Sequence, residues 1–77
     1  MKIFGYCHQT KAQLLELREA TISAEPAVLR ELSVFLLRCA NEMEEQGSAW
    51  NHSHFLPVDD EPEKNGPDII VFNPQAS

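Results

Sequence analysis

The sequence has few cysteines, few glycines and few basic residues, and each shortage argues against a class of protein. Two cysteines among 77 residues, with no Cys-x-x-Cys spacing, are too few for a disulfide scaffold. Three scattered glycines form no phosphate-binding loop. Six Lys and Arg stand against twelve Asp and Glu, so the chain lacks the basic face that nucleic-acid binding normally requires. We therefore expect no nucleic-acid partner.

Long apolar runs are also missing. The apolar residues that follow Met1 and Lys2 are too few for the core of a signal peptide. No stretch approaches the roughly 20 apolar residues of a membrane span. These absences predict a reduced, cytoplasmic protein with no membrane partner. The whole chain, residues 1–77, makes one domain near the lower size limit for independent folding, so a partner would add considerably to its stability.

One long amphipathic helix, predicted over residues 26–46, is the clearest element of the chain. Pro26 suits the first helical position, and Gly47 suits the left-handed position just after the end. Apolar residues recur every three or four positions, which places them on one side of the helix. This predicted apolar stripe consists of Leu29, Leu32, Phe35, Leu36, Cys39, Ala40 and Met43.

Segments rich in β-forming residues flank the helix and predict four strands. The fold class is therefore α+β: a small antiparallel β-sheet of about four strands in ββαββ order, with the helix packed on one face. The predicted strands are residues 2–7, 14–23, 50–56 and 68–72.

Both faces of the predicted sheet carry apolar residues. In the last strand, Ile69 and Val71 face one way while Ile70 and Phe72 face the other. One helix about 10 Å across cannot cover both faces. We therefore expect the second face to meet a partner, which is either a second copy in a homodimer or a different protein.

Acidic residues concentrate at the end of the helix and in the loop that follows. Such a patch raises the association rate with a basic surface, and a nearby aromatic residue can provide a buried anchor. A merely solvated surface explains the same charges equally well. If the patch binds a protein, the predicted partner-binding residues are Trp50, Glu42, Glu45, Asp59, Asp60 and Glu61.

His52 and His54 are weak candidates for a metal site. Residues two apart in a strand project from the same face, so both imidazoles could reach one ion. A third ligand would have to come from His8, Asp59, Asp60 or Asp68. The alternative is a pair of structural histidines. We expect no cofactor and no enzymatic activity, because no convincing catalytic arrangement accompanies them.

Several segments together resemble the Imm32 family of bacterial immunity proteins, over most of the chain from Ile3 to Pro74. The most specific are His52-Ser53-His54 and the closing run from Pro67 to Pro74. The others are residues 14–21, 26–32, 35–37 and 40–44. The resemblance implies a small cytoplasmic protein that binds and neutralises a cognate toxin, and it brings no catalytic residues. One departure is Glu25, a poorer N-cap than a short polar residue.

Overall fold

A computed structural model of the chain describes residues 1–7, 10–56 and 68–77. This part of the chain is α+β, as predicted. Its strands form two separate antiparallel sheets of two strands each, so the predicted single four-stranded sheet is not confirmed. In chain order the elements are β1 (Ile3–Cys7), β2 (Thr10–Leu17), α1 (Pro26–Gln46), a 3-10 turn (Gly47–Ala49), β3 (His52–His54) and β4 (Ile70–Phe72).

The helix α1 begins and ends where the sequence predicts. Pro26 occupies its first turn, and the carbonyl of Glu25 accepts a 3.1 Å hydrogen bond from the amide of Leu29. The side chain of Glu25 makes no capping bond, in keeping with its poor N-cap character. Gly47 follows with φ 61°, and its amide donates to the carbonyl of Met43. Within the described ranges, no helix combines the length and apolarity needed to cross a membrane.

The core lies between α1 and the β3–β4 sheet. One face of the helix contributes its buried side chains, and the chain after the helix packs against them. Phe35 and Phe55 are in aromatic contact, with ring centroids 5.3 Å apart. The buried residues are Leu32, Phe35, Cys39 and Trp50, with Met43, Phe55, Ile69 and Val71 packed partly buried around them.

The alternation predicted for the last strand is confirmed. Ile69 and Val71 pack against the core, whereas Ile70 and Phe72 are exposed on the outer face. The strand β3 is shorter than the predicted 50–56, because Trp50 closes the 3-10 turn and packs inward before pairing begins at His52.

The first two strands form a hairpin whose second strand differs from the prediction. Residues Leu14 to Leu17 pair with Tyr6 to Ile3, and β2 reaches back to Thr10, which pairs with Cys7. The predicted strand over 14–23 is therefore wrong beyond Leu17, since residues 18–25 have no strand partner. Among the hairpin side chains whose burial is described, none is buried and none joins the core cluster.

Candidate partner-binding site

The acidic patch predicted at the end of α1 begins with Glu42, whose carboxylate is held in place. Its Oε1 accepts a 3.0 Å hydrogen bond from Trp50 Nε1, and its Oε2 lies 3.9 Å from Arg38 Nε. The Glu42 side chain remains 42% exposed. The hydrogen bond from the buried indole therefore orients the carboxylate, which stays accessible to a partner.

Trp50 lies in the core and not on the surface, since it is only 6% exposed. Its contribution to the site is thus to orient Glu42. Glu44 and Glu45 lie exposed near the same end of the helix, and the last turn of α1 carries no basic residue. The other predicted binding residues, Asp59, Asp60 and Glu61, lie outside the described residues.

Asn73, which the sequence interpretation missed, holds the segment that carries Trp50. The amide is 3% exposed and donates from Nδ2 to the carbonyls of Trp50 at 2.8 Å and Gly47 at 3.1 Å. Its Oδ1 accepts a 2.9 Å hydrogen bond from the backbone N–H of Gln75. The backbone N–H of Asn73 donates to the carbonyl of Asn51. An Asn-Pro pair after a strand is a signal for the local bond from Gln75, and it does not indicate the bonds to Trp50 and Gly47.

His52 and His54 project from the same face of β3, as the strand period requires. Both side chains are exposed, with ring centroids 5.3 Å apart in an edge-on arrangement. His52 Nδ1 lies 2.6 Å from Asn51 Oδ1, a contact in which the ring nitrogen donates. Within the described part of the chain, no three His, Cys, Asp or Glu residues are placed to hold a metal ion.

An open groove of about 440 Å³ runs between the first half of α1 and the chain after β3. Val34, Phe35 and Phe55 supply apolar lining, and Arg30 and Arg38 lie along its helix side. The Arg38 guanidinium sits 5.6 Å from the centre of the Phe35 ring, a cation–π contact. Glu31 lines the same groove, so its charged margin is mixed, with two arginines and one glutamate.

Burial raises the pKa of the Cys39 thiol; Arg38 lowers it and Glu42 raises it by smaller effects. The thiol therefore stays protonated at neutral pH. This agrees with the place of Cys39 on the predicted apolar stripe, where it is a small buried side chain.

Comparison of the chain with protein-family models, with curated proteins and with solved structures finds no match. The resemblance to the Imm32 family stays a prediction from the sequence.

Proposed function

We propose that this chain is an immunity protein that acts in the cytoplasm by binding a cognate bacterial toxin in a fixed stoichiometric ratio. The resemblance of its sequence suggests this class of protein. The observation that supports it in the structure is the carboxylate of Glu42, exposed at the surface and oriented by the buried Trp50. A carboxylate whose side chain is already oriented loses less conformational entropy on binding a partner than a mobile one does.

The partner favoured by this surface is basic. Glu42, Glu44 and Glu45 leave the end of α1 negative, and the chain as a whole carries a formal charge of −6. Clustered acids steer a basic partner during diffusion, and the effect weakens as salt screens the charges. Neutralisation would follow if the acidic surface covered or flanked a basic active site of the toxin.

Genetic rescue is the direct test of the class. The gene next to this one in the source genome is expressed from an inducible promoter, with and without this chain. We expect growth to stop with the neighbour alone and to resume when both are present. A harmless neighbour, or one that kills regardless, would contradict the proposal.

Binding kinetics test the residues. The double variant Glu42→Gln/Glu45→Gln should slow association with the toxin at low salt by about tenfold, because steering depends on these charges. The matched control is Glu16→Gln together with Glu19→Gln, which removes the same charge from the hairpin region. Equal slowing by both pairs would show that net charge matters and that the helix end does not.

A further inference from the structure

We infer that His52 and His54 chelate one divalent transition-metal ion such as Zn²⁺. The inference is independent of the proposed toxin binding and holds whatever protein the acidic end of α1 recognises. Two ligands two residues apart can share an ion when they lie on a strand, because their side chains project from the same face. The strand β3 meets this condition, since both imidazoles are exposed on its outer face.

The separation of the two rings matches that of two ligands on one ion. Zinc–nitrogen bonds of about 2.0–2.1 Å in a tetrahedral arrangement place two imidazole ring centres about 5.2 Å apart. The ring centroids of His52 and His54 are 5.3 Å apart. Because the ring planes are inclined by 67°, aiming one nitrogen of each ring at a common point requires rotation about the side-chain torsions. Both exposed side chains have room for that rotation, so the backbone of β3 need not move.

Asn51 supplies a second, independent observation. Its Oδ1 lies 2.6 Å from His52 Nδ1, and an amide oxygen only accepts, so Nδ1 carries a proton. In the neutral ring the lone pair is then on Nε2, which is the atom left to bind a metal. Metal-bound histidines commonly donate their other ring N–H to an oxygen, which fixes both the tautomer and the direction of the ring. The backbone of Asn51 is held in turn by a 2.9 Å hydrogen bond from the N–H of Asn73 to its carbonyl.

The residues opposite the two histidines are apolar. In the β3–β4 pair, His52 lies opposite Phe72 and His54 lies opposite Ile70. Both apolar side chains are exposed on the outer face beside the imidazoles. Neither histidine therefore faces a charged cross-strand partner that would repel a cation or compete for the ring nitrogen, and the apolar neighbours reduce the access of water.

The ligand type selects the ion, and the number of ligands limits the affinity. Imidazole nitrogens suit Zn²⁺, Cu²⁺ and Ni²⁺, whereas Mg²⁺ and Ca²⁺ prefer oxygen ligands. No third His, Cys, Asp or Glu is placed to join the pair in the described part of the chain, so water takes the remaining positions in the site that we propose. His54 also borders the groove lined by Arg30 and Arg38, whose charges oppose a cation. Binding should therefore be weaker than at a closed zinc site with four protein ligands.

Titration with ZnCl₂, followed by NMR of the histidine ring protons, tests the site in the unmodified chain. The chain has three histidines. We expect the resonances of His52 and His54 to shift together and to saturate at one ion per chain, while those of His8 stay unchanged. MgCl₂ at the same concentration should shift none of them. Similar shifts at all three rings, or no shift with zinc, would overturn the inference.

Substitution measures what each ligand contributes. His52→Ala and His54→Ala should each weaken zinc binding at least about tenfold in isothermal titration calorimetry, because a single imidazole makes no chelate. His8→Ala is the matched control and should keep the wild-type affinity. Both ligand side chains are exposed, so we expect these variants to fold, which circular dichroism checks. Equal affinity in all three variants would contradict the assignment.

Asn51 is tested as the residue that positions His52. Asn51→Ala should weaken zinc binding by a smaller factor than His52→Ala, because it removes only the hydrogen bond that orients the ring. Asn51→Asp keeps an oxygen that accepts from Nδ1–H and should preserve the affinity. Unchanged binding in Asn51→Ala, or equal loss in both Asn51 variants, would show that this hydrogen bond does not prepare the site.

Discussion

The two antiparallel strand pairs of the described residues differ in length and in burial, and the shorter pair is the better packed. β1 and β2 have 5 and 8 residues, whereas β3 and β4 have 3 each. Yet β3–β4 lies on the helix with Val71 facing the core, while the β1–β2 hairpin has no buried side chain among those described. Strand length therefore does not predict which strand pair is the more stable, because stability follows from the apolar area that is covered.

Phenylalanine occurs both in the core and on the β1–β2 hairpin, and its replacement gives the largest expected difference in stability between the two regions. Phe35→Ala should lower the free energy of unfolding by about 3–5 kcal/mol, since it removes a buried ring from the core. Phe4→Ala should cost less than about 1 kcal/mol in the monomer, where half of that ring is already exposed. Urea unfolding followed by circular dichroism, at the lowest usable protein concentration, measures both. Equal costs would mean that the hairpin is packed as tightly as the core.

The amide of Asn73 gives the next largest effect. Asn73→Ala leaves the carbonyls of Trp50 and Gly47 without this donor and should lower the free energy of unfolding by about 2 kcal/mol. Asn51→Ala is the control, because its side chain is exposed and should cost less than about 0.5 kcal/mol. Similar losses in the two variants would show that the buried bonds of Asn73 add nothing.

Replacement by alanine should lower stability more at Gly47, which follows the helix, than at Gly5 in the hairpin. Gly47→Ala forces a Cβ into φ 61° and should cost about 1–2 kcal/mol, although the space around it is open. At Gly5 a Cβ would lie 3.2 Å from Leu17 Cδ1, the mobile end of a half-buried side chain. Gly5→Ala should therefore change stability by less than about 0.5 kcal/mol. Thermal unfolding at matched concentration ranks the two, and a larger loss at Gly5 would indicate a rigid hairpin.

The buried thiol of Cys39 gives the smallest expected effect, through the dependence of stability on pH. Burial raises the pKa of the Cys39 thiol in the folded chain, so the protonated form is favoured there. The stabilisation is fully present below the unfolded thiol's pKa of about 8.5 and is lost as pH rises through the folded value. Urea unfolding across this range should show a decline in stability that Cys39→Ala abolishes and Cys7→Ser keeps. A decline that persists in Cys39→Ala would have another source.

The bounds of the helix could be predicted from the sequence because they depend on local chemistry. Pro26 and Gly47 each favour one backbone conformation at one helix end, and the apolar spacing between them is regular. The separation of the strands into two sheets could not be predicted in this way. It depends on which strand pair the helix covers, and both pairs carry suitable apolar residues.

The charge of the candidate site could be predicted from the sequence, but its geometry could not. Clustered acids indicate a negative surface at any arrangement of the chain, but the position of Trp50 depends on the tight turn that follows the helix. That turn brings the indole back to Glu42, eight residues earlier. The role of Asn73 could not be predicted from the sequence for the same reason, because the two carbonyls that its side chain binds lie 23 and 26 residues away.

The placement of the single tryptophan and the single tyrosine gives each region its own optical reporter. Trp50 is enclosed in the core with its indole N–H on Glu42, so its emission should be blue-shifted and should move to longer wavelength when the helix and β3–β4 come apart. Tyr6 stands exposed on the hairpin and should not sense that event. The fluorescence of Trp50 and that of Tyr6 therefore report on the two regions separately in one sample of the unmodified chain.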